Sequence, residues 1–425
     1  VKMIKSLYQR YRNNERAKQV LGLFSVNIVG ILIGIITSII ITRYLGPKGY
    51  GDYQFIQSIF NLAVIIFSFG FFQAGNRALV LNDDKQKAKE YYGAELIITG
   101  GLFIIISLFL VLYALFDKNL HQKQLDSFFL FIIPFSWVFL IANYFETLFQ
   151  ADNRIDMLSQ VRLYPKIGFL LTAILVYFIF RNLQLNRLAI IWSFYLVTEA
   201  IVYLFILFKL NVSFKNIKER INEIWTYNKS FGLNVYMGSI FAVGFDKLTG
   251  VLISYYAPNN SGVGFFTLAL AFATPLSFIP NTIATTHYKD FSTYKHIPKK
   301  LFRITLGLSC SALIGLWLII GPFIKIFYGI EFSTVINLNF IVSIGVLAFG
   351  FGDFFNRYLG ANGKGKALRN GAIIVGLAIL ILSLIFIPLY GEYGAAFSKL
   401  VSGFVYMIVM IFYYYNYTHH QVSEN

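Results

Sequence analysis

Asp246 and Lys247 are adjacent in an apolar stretch that begins near Phe231. Neighbours on a helix point about 100° apart, so these two do not simply neutralise each other. At least one of them needs a partner on another helix or in a wet cavity. A lysine so placed offers a cationic contact to an anionic ligand, and an aspartate offers an ion-coupling or gating group. The alternative for both is a structural salt bridge between helices. Each buried charge costs about 2.5–3.5 kcal/mol at the centre of a membrane helix, so such residues normally face a bundle interior. By the same argument Glu199, near the middle of its stretch, and Glu146, near the end of its own, are candidates for coupling or gating. Asp353 matches Glu146 in the second half of the chain, where an interfacial carboxylate is also an adequate explanation. Lys399 lies close enough to one end of its stretch to read as snorkelling.

Small residues form a stripe on the first apolar stretch, at Asn27, Gly30, Gly34 and Ser38. Gly30 and Gly34 read either as close helix packing or as the wall of a cavity, in which Asn27 would touch substrate. Arg43 closes the same stretch, as an interfacial anchor or as a second contact for an anionic substrate. No motif of enzyme chemistry accompanies these residues. There is no phosphate-cradling glycine loop, no His-Glu-x-x-His and no Gly-x-Ser-x-Gly. The five histidines lie in or near loops, and the single cysteine, Cys310, reads as a small buried hydrophobe. The chain is thus expected to be no enzyme, with no metal or cofactor. Any transport it performs would run on a cation gradient, the membrane potential or the substrate's own gradient.

The elements that position these residues follow from composition. Of 425 residues 57% are hydrophobic and only 13% charged, too few charges for a soluble domain. Uncharged runs long enough to cross a hydrocarbon core of about 30 Å recur along the whole chain. About twelve α-helical spans are predicted, with Pro258–Gly262 as the turn that divides 248–288. Placing both termini in the cytoplasm gives 27 of the 36 Lys and Arg residues to inside segments and 7 to outside loops. That bias explains the formal charge of +16 without a nucleic-acid partner.

The chain also echoes itself at an offset of about 210 residues. Tyr44-Leu45-Gly46-Pro47 with Gly49-Tyr50-Gly51 is echoed by Tyr255-Tyr256-Ala257-Pro258 with Gly262-Val263-Gly264. Ala151-Asp152-Asn153-Arg154 is echoed by Ala361-Asn362-Gly363-Lys364. Six spans per half return the chain to its starting side, so the halves would be parallel repeats. The expected fold is an all-α polytopic membrane protein with two parallel six-helix lobes, 1–210 and 231–425, joined by a cytoplasmic loop at 211–230.

The loop after the first span, with Arg43, Leu45, Gly46, Pro47, Tyr50, Gly51 and Tyr53, resembles the hallmark of the bacterial Wzx-type polysaccharide flippases. Asp246-Lys247 is similar to that family's Asp-Arg, and Ala361-Asn362-Gly363-Lys364 to its Ala-x-Gly-Lys turn. The resemblance implies a member of the multidrug/oligosaccharidyl-lipid/polysaccharide exporter superfamily, with two lobes around a central cavity and alternating access. It implies a polyprenyl-diphosphate-linked oligosaccharide as substrate, met by Lys247, Arg43 and Asn27. Membrane lipids and other polysaccharide-assembly proteins would be the partners, and the bacterial plasma (inner) membrane the location. Two readings compete with this one. A multidrug cation exporter of the same superfamily needs an anionic cavity. A membrane glycan polymerase or glycosyltransferase needs a large outer loop with catalytic charge, which is missing here.

Overall fold

The computed structural model describes residues 15–82, 84–180 and 186–423, without the side chains of 15–21, 23, 24, 242 and 419–423. The N-terminal basic residues Lys2–Lys18, Arg181, the side chains of His419 and His420, and both chain ends assigned to the cytoplasm therefore fall wholly or mainly outside the described part.

The protein is an all-helical, polytopic membrane protein. Eight described helices are long and apolar enough to cross a bilayer. A ninth crossing is the pair Asp126–Phe135 and Trp137–Ala151, bent by 42°. Two of the eight are too long for a single passage. Ser25–Phe67 has 43 residues and Gly365–Thr418 has 54, which at 1.5 Å per residue is roughly twice the hydrocarbon thickness or more. Each breaks at a glycine outside helical dihedrals, Gly46 (φ 71°) and Gly391 (φ 56°). Only glycine adopts such a φ without a Cβ penalty, and Pro47 and Pro388 beside them remove backbone donors. The crossings thus become 25–45, 47–67, 365–390 and 392–418. One more helical run, 228–256, is π-wound at Asn228–Gly232 and at Ile240–Gly244. Counted this way, the described residues supply twelve spans, numbered below in chain order.

Contacts divide the chain into two compact units. One contains the described residues up to Tyr44 and Phe67–Tyr236; the other contains Leu45–Ile66 and everything from Met237. In the first unit Trp192, Tyr144, Phe145 and Phe149 are fully buried, with the last two rings stacked at 5.5 Å. The second is centred on Phe291, Phe354 and Tyr358, all fully buried. Around these cores the spans expose large apolar side chains, such as Phe208 (87%) and Phe178 (78%). That is the surface expected against lipid rather than water. Cys310 belongs to it: it is exposed on Lys299–Phe323 rather than buried as its sequence context suggested.

Part of 211–230 is a helix, Ile217–Tyr227, docked on Lys85–Phe116. Arg220 is buried there and pairs with Glu90 (3.1 Å), Glu219 (2.7 Å) and Glu223 (2.6 Å). Burial alone would raise the Glu223 carboxyl, but hydrogen bonds from Tyr91 and Arg220 outweigh it and hold the group below its usual range.

Candidate functional site

Inside the first unit, spans one, four, five and six enclose a cavity of about 410 Å³. Asn27 enters it from the first span and Glu146 from the fourth. Arg162 and Lys166, one turn apart on the fifth, and Glu199 and Tyr203, one turn apart on the sixth, complete its polar lining. The i, i+4 spacing puts each of these pairs on one helix face. Three of the residues singled out in the sequence, Asn27, Glu146 and Glu199, therefore meet in one place.

The two carboxylates are held differently. Arg162 clasps Glu146, its Nε lying 3.1 Å from both carboxylate oxygens, and Gln150 Nε2 donates to Oε1 at 2.6 Å. The guanidinium also reaches Asn27 Oδ1 at 3.4 Å. Glu199 is buried, and its Oε2 has no hydrogen-bond partner among the described residues. The charges that act on Lys166 are Arg162, Glu199 and Glu146, yet Lys166 enters no ion pair with a described residue.

Gly30 explains how Lys166 fits. A Cβ at Gly30 would lie 2.9 Å from Lys166 Nζ, so the missing side chain is the seat of the ammonium. Gly34 has open space where its Cβ would be. On the first span Gly30 is therefore a close-packing position against Lys166, beside the cavity that Asn27 lines, whereas Gly34 meets no described atom within 4 Å of its Cβ position. Sequence reasoning passed over Lys166 and Arg162 because it counted both with the cytoplasmic loop. Their spacing of four, facing the Asn27 stripe, was the available signal.

The remaining candidates lie elsewhere. Arg43 is exposed and follows Asn27 by 16 residues on the same helix, a rise of about 24 Å. In the second unit, Asp246 pairs with Lys399 at 2.6 Å, directly after the π-wound turn Ile240–Gly244. Lys399 is thus the partner of a carboxylate on another helix, 153 residues away in sequence, and does not snorkel. Its ammonium also lies 5.5 Å from the centroid of the Phe349 ring. Lys247 is exposed and makes no ion pair with a described residue. The adjacent charges point to different surroundings, as the 100° step requires.

A family model described as "Polysaccharide biosynthesis protein" matches residues 17–288, 272 of the 425 residues. The chain belongs to that family. Similar proteins include the capsular polysaccharide biosynthesis protein CapF of Staphylococcus aureus, 25% identical over 93% of this chain and 97% of CapF. The probable flippase AglR of Haloferax volcanii is 22% identical over 89% of this chain and 79% of its own. Among solved structures, the lipid II flippase MurJ in an inward closed conformation superposes with a TM-score of 0.67. It has 15% identity, covering 92% of this chain and 87% of MurJ. An inward-facing MATE-family multidrug resistance transporter of the MOP superfamily also gives 0.67, at 12% identity, covering 95% and 98%. The chain is therefore a multi-pass membrane member of a polysaccharide biosynthesis family with the MurJ- and MATE-like fold.

The loop that carried the sequence resemblance forms a clasp. Tyr44, Tyr50 and Tyr53 are buried. The Arg187 guanidinium sits 5.5 Å from the Tyr44 ring centroid, and Gln54 donates to the Tyr50 hydroxyl at 2.8 Å. The loop packs against its own echo 210 residues later. Buried Asp52 accepts from Asn260 Nδ2 at 2.8 Å, and Asn260 Oδ1 accepts from Ser254 at 2.6 Å. A Cβ on Gly51 would overlap the Asn260 carbonyl, a backbone atom that cannot swing aside. Gly51→Val should therefore destabilise the protein by at least about 2 kcal/mol through overpacking. Thermal unfolding of the purified protein measures this, and an unchanged midpoint would show that the clasp carries no such strain.

Proposed function

We propose that the protein is a flippase that turns a polyprenyl-diphosphate-linked oligosaccharide from the cytoplasmic to the outer leaflet of a bacterial plasma membrane. It would work by alternating access of its two six-helix lobes, 1–210 and 231–425, with both termini cytoplasmic, and supply the assembly of a cell-surface polysaccharide. The observation that carries this reading is the cavity in which Lys166 stands beside Arg162 and Asn27 with no ion-pair partner among the described residues. A diphosphate cannot cross hydrocarbon unaided, and a recessed ammonium and guanidinium provide the charge-assisted donors that replace its water. The cavity volume lies within the range of small-molecule sites. Lys247 and Arg43 are further cationic contacts along the route in this scheme. Glu199, Glu146 and Asp246 are the coupling or gating groups, driven by a cation gradient or the membrane potential. Because Glu146 is engaged by Arg162, the cavity is not the surplus of carboxylates that a cation exporter needs.

The test is the leaflet distribution of lipid-linked glycan in a strain lacking the gene. Oligosaccharide-diphosphate lipid is expected to accumulate on the cytoplasmic side and to clear when the intact gene is restored. A normal distribution of every such lipid would end the proposal, and efflux of cationic dyes would then be the activity to measure.

A further inference from the structure

A second polar cavity of the first unit, about 280 Å³, lies at the ends of spans three, four and six. Lys85, Lys89, Arg154 and Lys209 line it, with Tyr92 and Asp152. The one carboxylate is already engaged, since the Tyr92 hydroxyl donates to Asp152. None of the four cations forms an ion pair with a described carboxylate. Two are braced by aromatic rings: Lys209 Nζ lies 4.1 Å from the Phe205 centroid and the Arg154 guanidinium 5.4 Å from that of Phe149. Four cations facing a space with one engaged carboxylate form a binding site for an anion.

The same turn is built twice. Asn153 is left-handed (φ 53°), Arg154 N–H donates to Phe149 O at 3.0 Å, and Asp152 N–H to Leu148 O at 3.0 Å. In the second unit Gly363 is left-handed (φ 72°), Lys364 N–H donates to Leu359 O at 3.0 Å, and Asn362 N–H to Tyr358 O at 3.2 Å. A tyrosine braces the polar side chain there too, with Tyr417 donating to Asn362 Oδ1 at 3.1 Å. This turn also borders a cavity, about 560 Å³, lined among others by Lys364, Lys366, Asn370 and Tyr413. In each unit a cationic residue thus follows the left-handed position and lines the cavity beside it.

We infer that these cradles hold the phosphates of anionic phospholipid headgroups, the cavity of Lys85, Lys89, Arg154 and Lys209 being the stronger site. A soluble phosphate has the same chemistry, but the surroundings favour a lipid. Lys209 follows Phe208, the most exposed large apolar residue described (87%), and Phe205 is also exposed. A headgroup in the cradle would lay its acyl chains along that apolar surface. Basic pockets at the ends of spans on the positive side of the protein are where such headgroups bind. The inference needs only the membrane location, not the glycan substrate.

Its test is the purified full chain in mixed vesicles of phosphatidylglycerol and phosphatidylcholine, with retained lipid measured after extraction. Wild-type protein is expected to enrich phosphatidylglycerol, and K85Q/K89Q/K209Q to reduce that enrichment at least about tenfold, near surface lysines each counting several-fold in affinity. These lysines form no ion pair with a described residue, so folding should be unaffected. The variant K118Q/K218Q/K229Q removes equal charge from exposed positions of the same unit that line neither cradle and should retain the lipid. Equal enrichment by wild type and the cradle variant would overturn the inference, as would equal loss in the control variant. Saturation by inorganic pyrophosphate with no enrichment of phosphatidylglycerol would reassign the cradle to a soluble anion and equally overturn it.

Discussion

Lys166→Met is expected to lower glycan export about tenfold or more while leaving the amount of folded protein unchanged. The magnitude follows from losing one charge-assisted hydrogen bond to an anionic substrate, worth about 1.5–3 kcal/mol. Folding should survive because Lys166 forms no ion pair with a described residue, whereas Arg162 holds Glu146 and Asn27. Removing Arg162 would leave Glu146 uncompensated and confuse a stability loss with a transport loss. Gly30→Ala supplies an independent check without changing any charge. The new methyl would stand 2.9 Å from Nζ, at the far end of a flexible side chain, so the lysine yields rather than the helix. The ammonium would move off its seat, and export should fall with unchanged folded protein. Wild-type export in both variants, measured as outer-leaflet glycan, would remove this cavity from the transport route.

Much of the architecture was legible because a bilayer imposes a length. The uncharged runs and the Pro and Gly breaks follow from that single constraint. The break at Gly46-Pro47 was readable from two residue types, as was the turn that ends with Asn153 and Arg154. What could not be read was which helix meets which. Asp246 clearly needed a partner, but nothing local distinguishes Lys399 from Lys247, Lys166 or Arg162 as that partner. Lys399 near a span end has a sufficient local explanation, so the pairing of residues 153 apart stayed hidden. Nor could the burial of Tyr44, Tyr50 and Tyr53 be read from the loop, since an aromatic residue at a span end has the interfacial rule as a sufficient local explanation. Lys166 went unremarked because a charge near one end of an apolar run is also what a loop residue looks like.

Asp246 and Lys399 give the second large effect, and a charge swap separates its two explanations. The pair is close, 2.6 Å, with the side chains 26% and 15% exposed. Asp246→Ala would leave Lys399 uncompensated beside the Phe349 ring. Breaking a well-buried pair costs about 3–5 kcal/mol, and partial exposure lowers that here, so less folded protein and no export are expected. Asp246→Ala alone cannot discriminate, because a structural bridge and a gate both predict it. D246K/K399D restores opposite charges at the same spacing. A static bridge is indifferent to which helix carries the acid, and the swap would return both folded protein and export. A gate is not indifferent. The carboxylate follows the π-wound turn Ile240–Gly244, a local underwinding of the kind that recurs at functional sites and that a gating motion could take up. Exchanging the charges keeps the pair but takes the carboxylate off the helix that must rewind and sets an ammonium there instead. The expected result is folded protein close to the wild-type amount with export still below about a tenth of it, a loss of about 1.4 kcal/mol or more. Full export by the swapped pair would return Asp246 to a structural role.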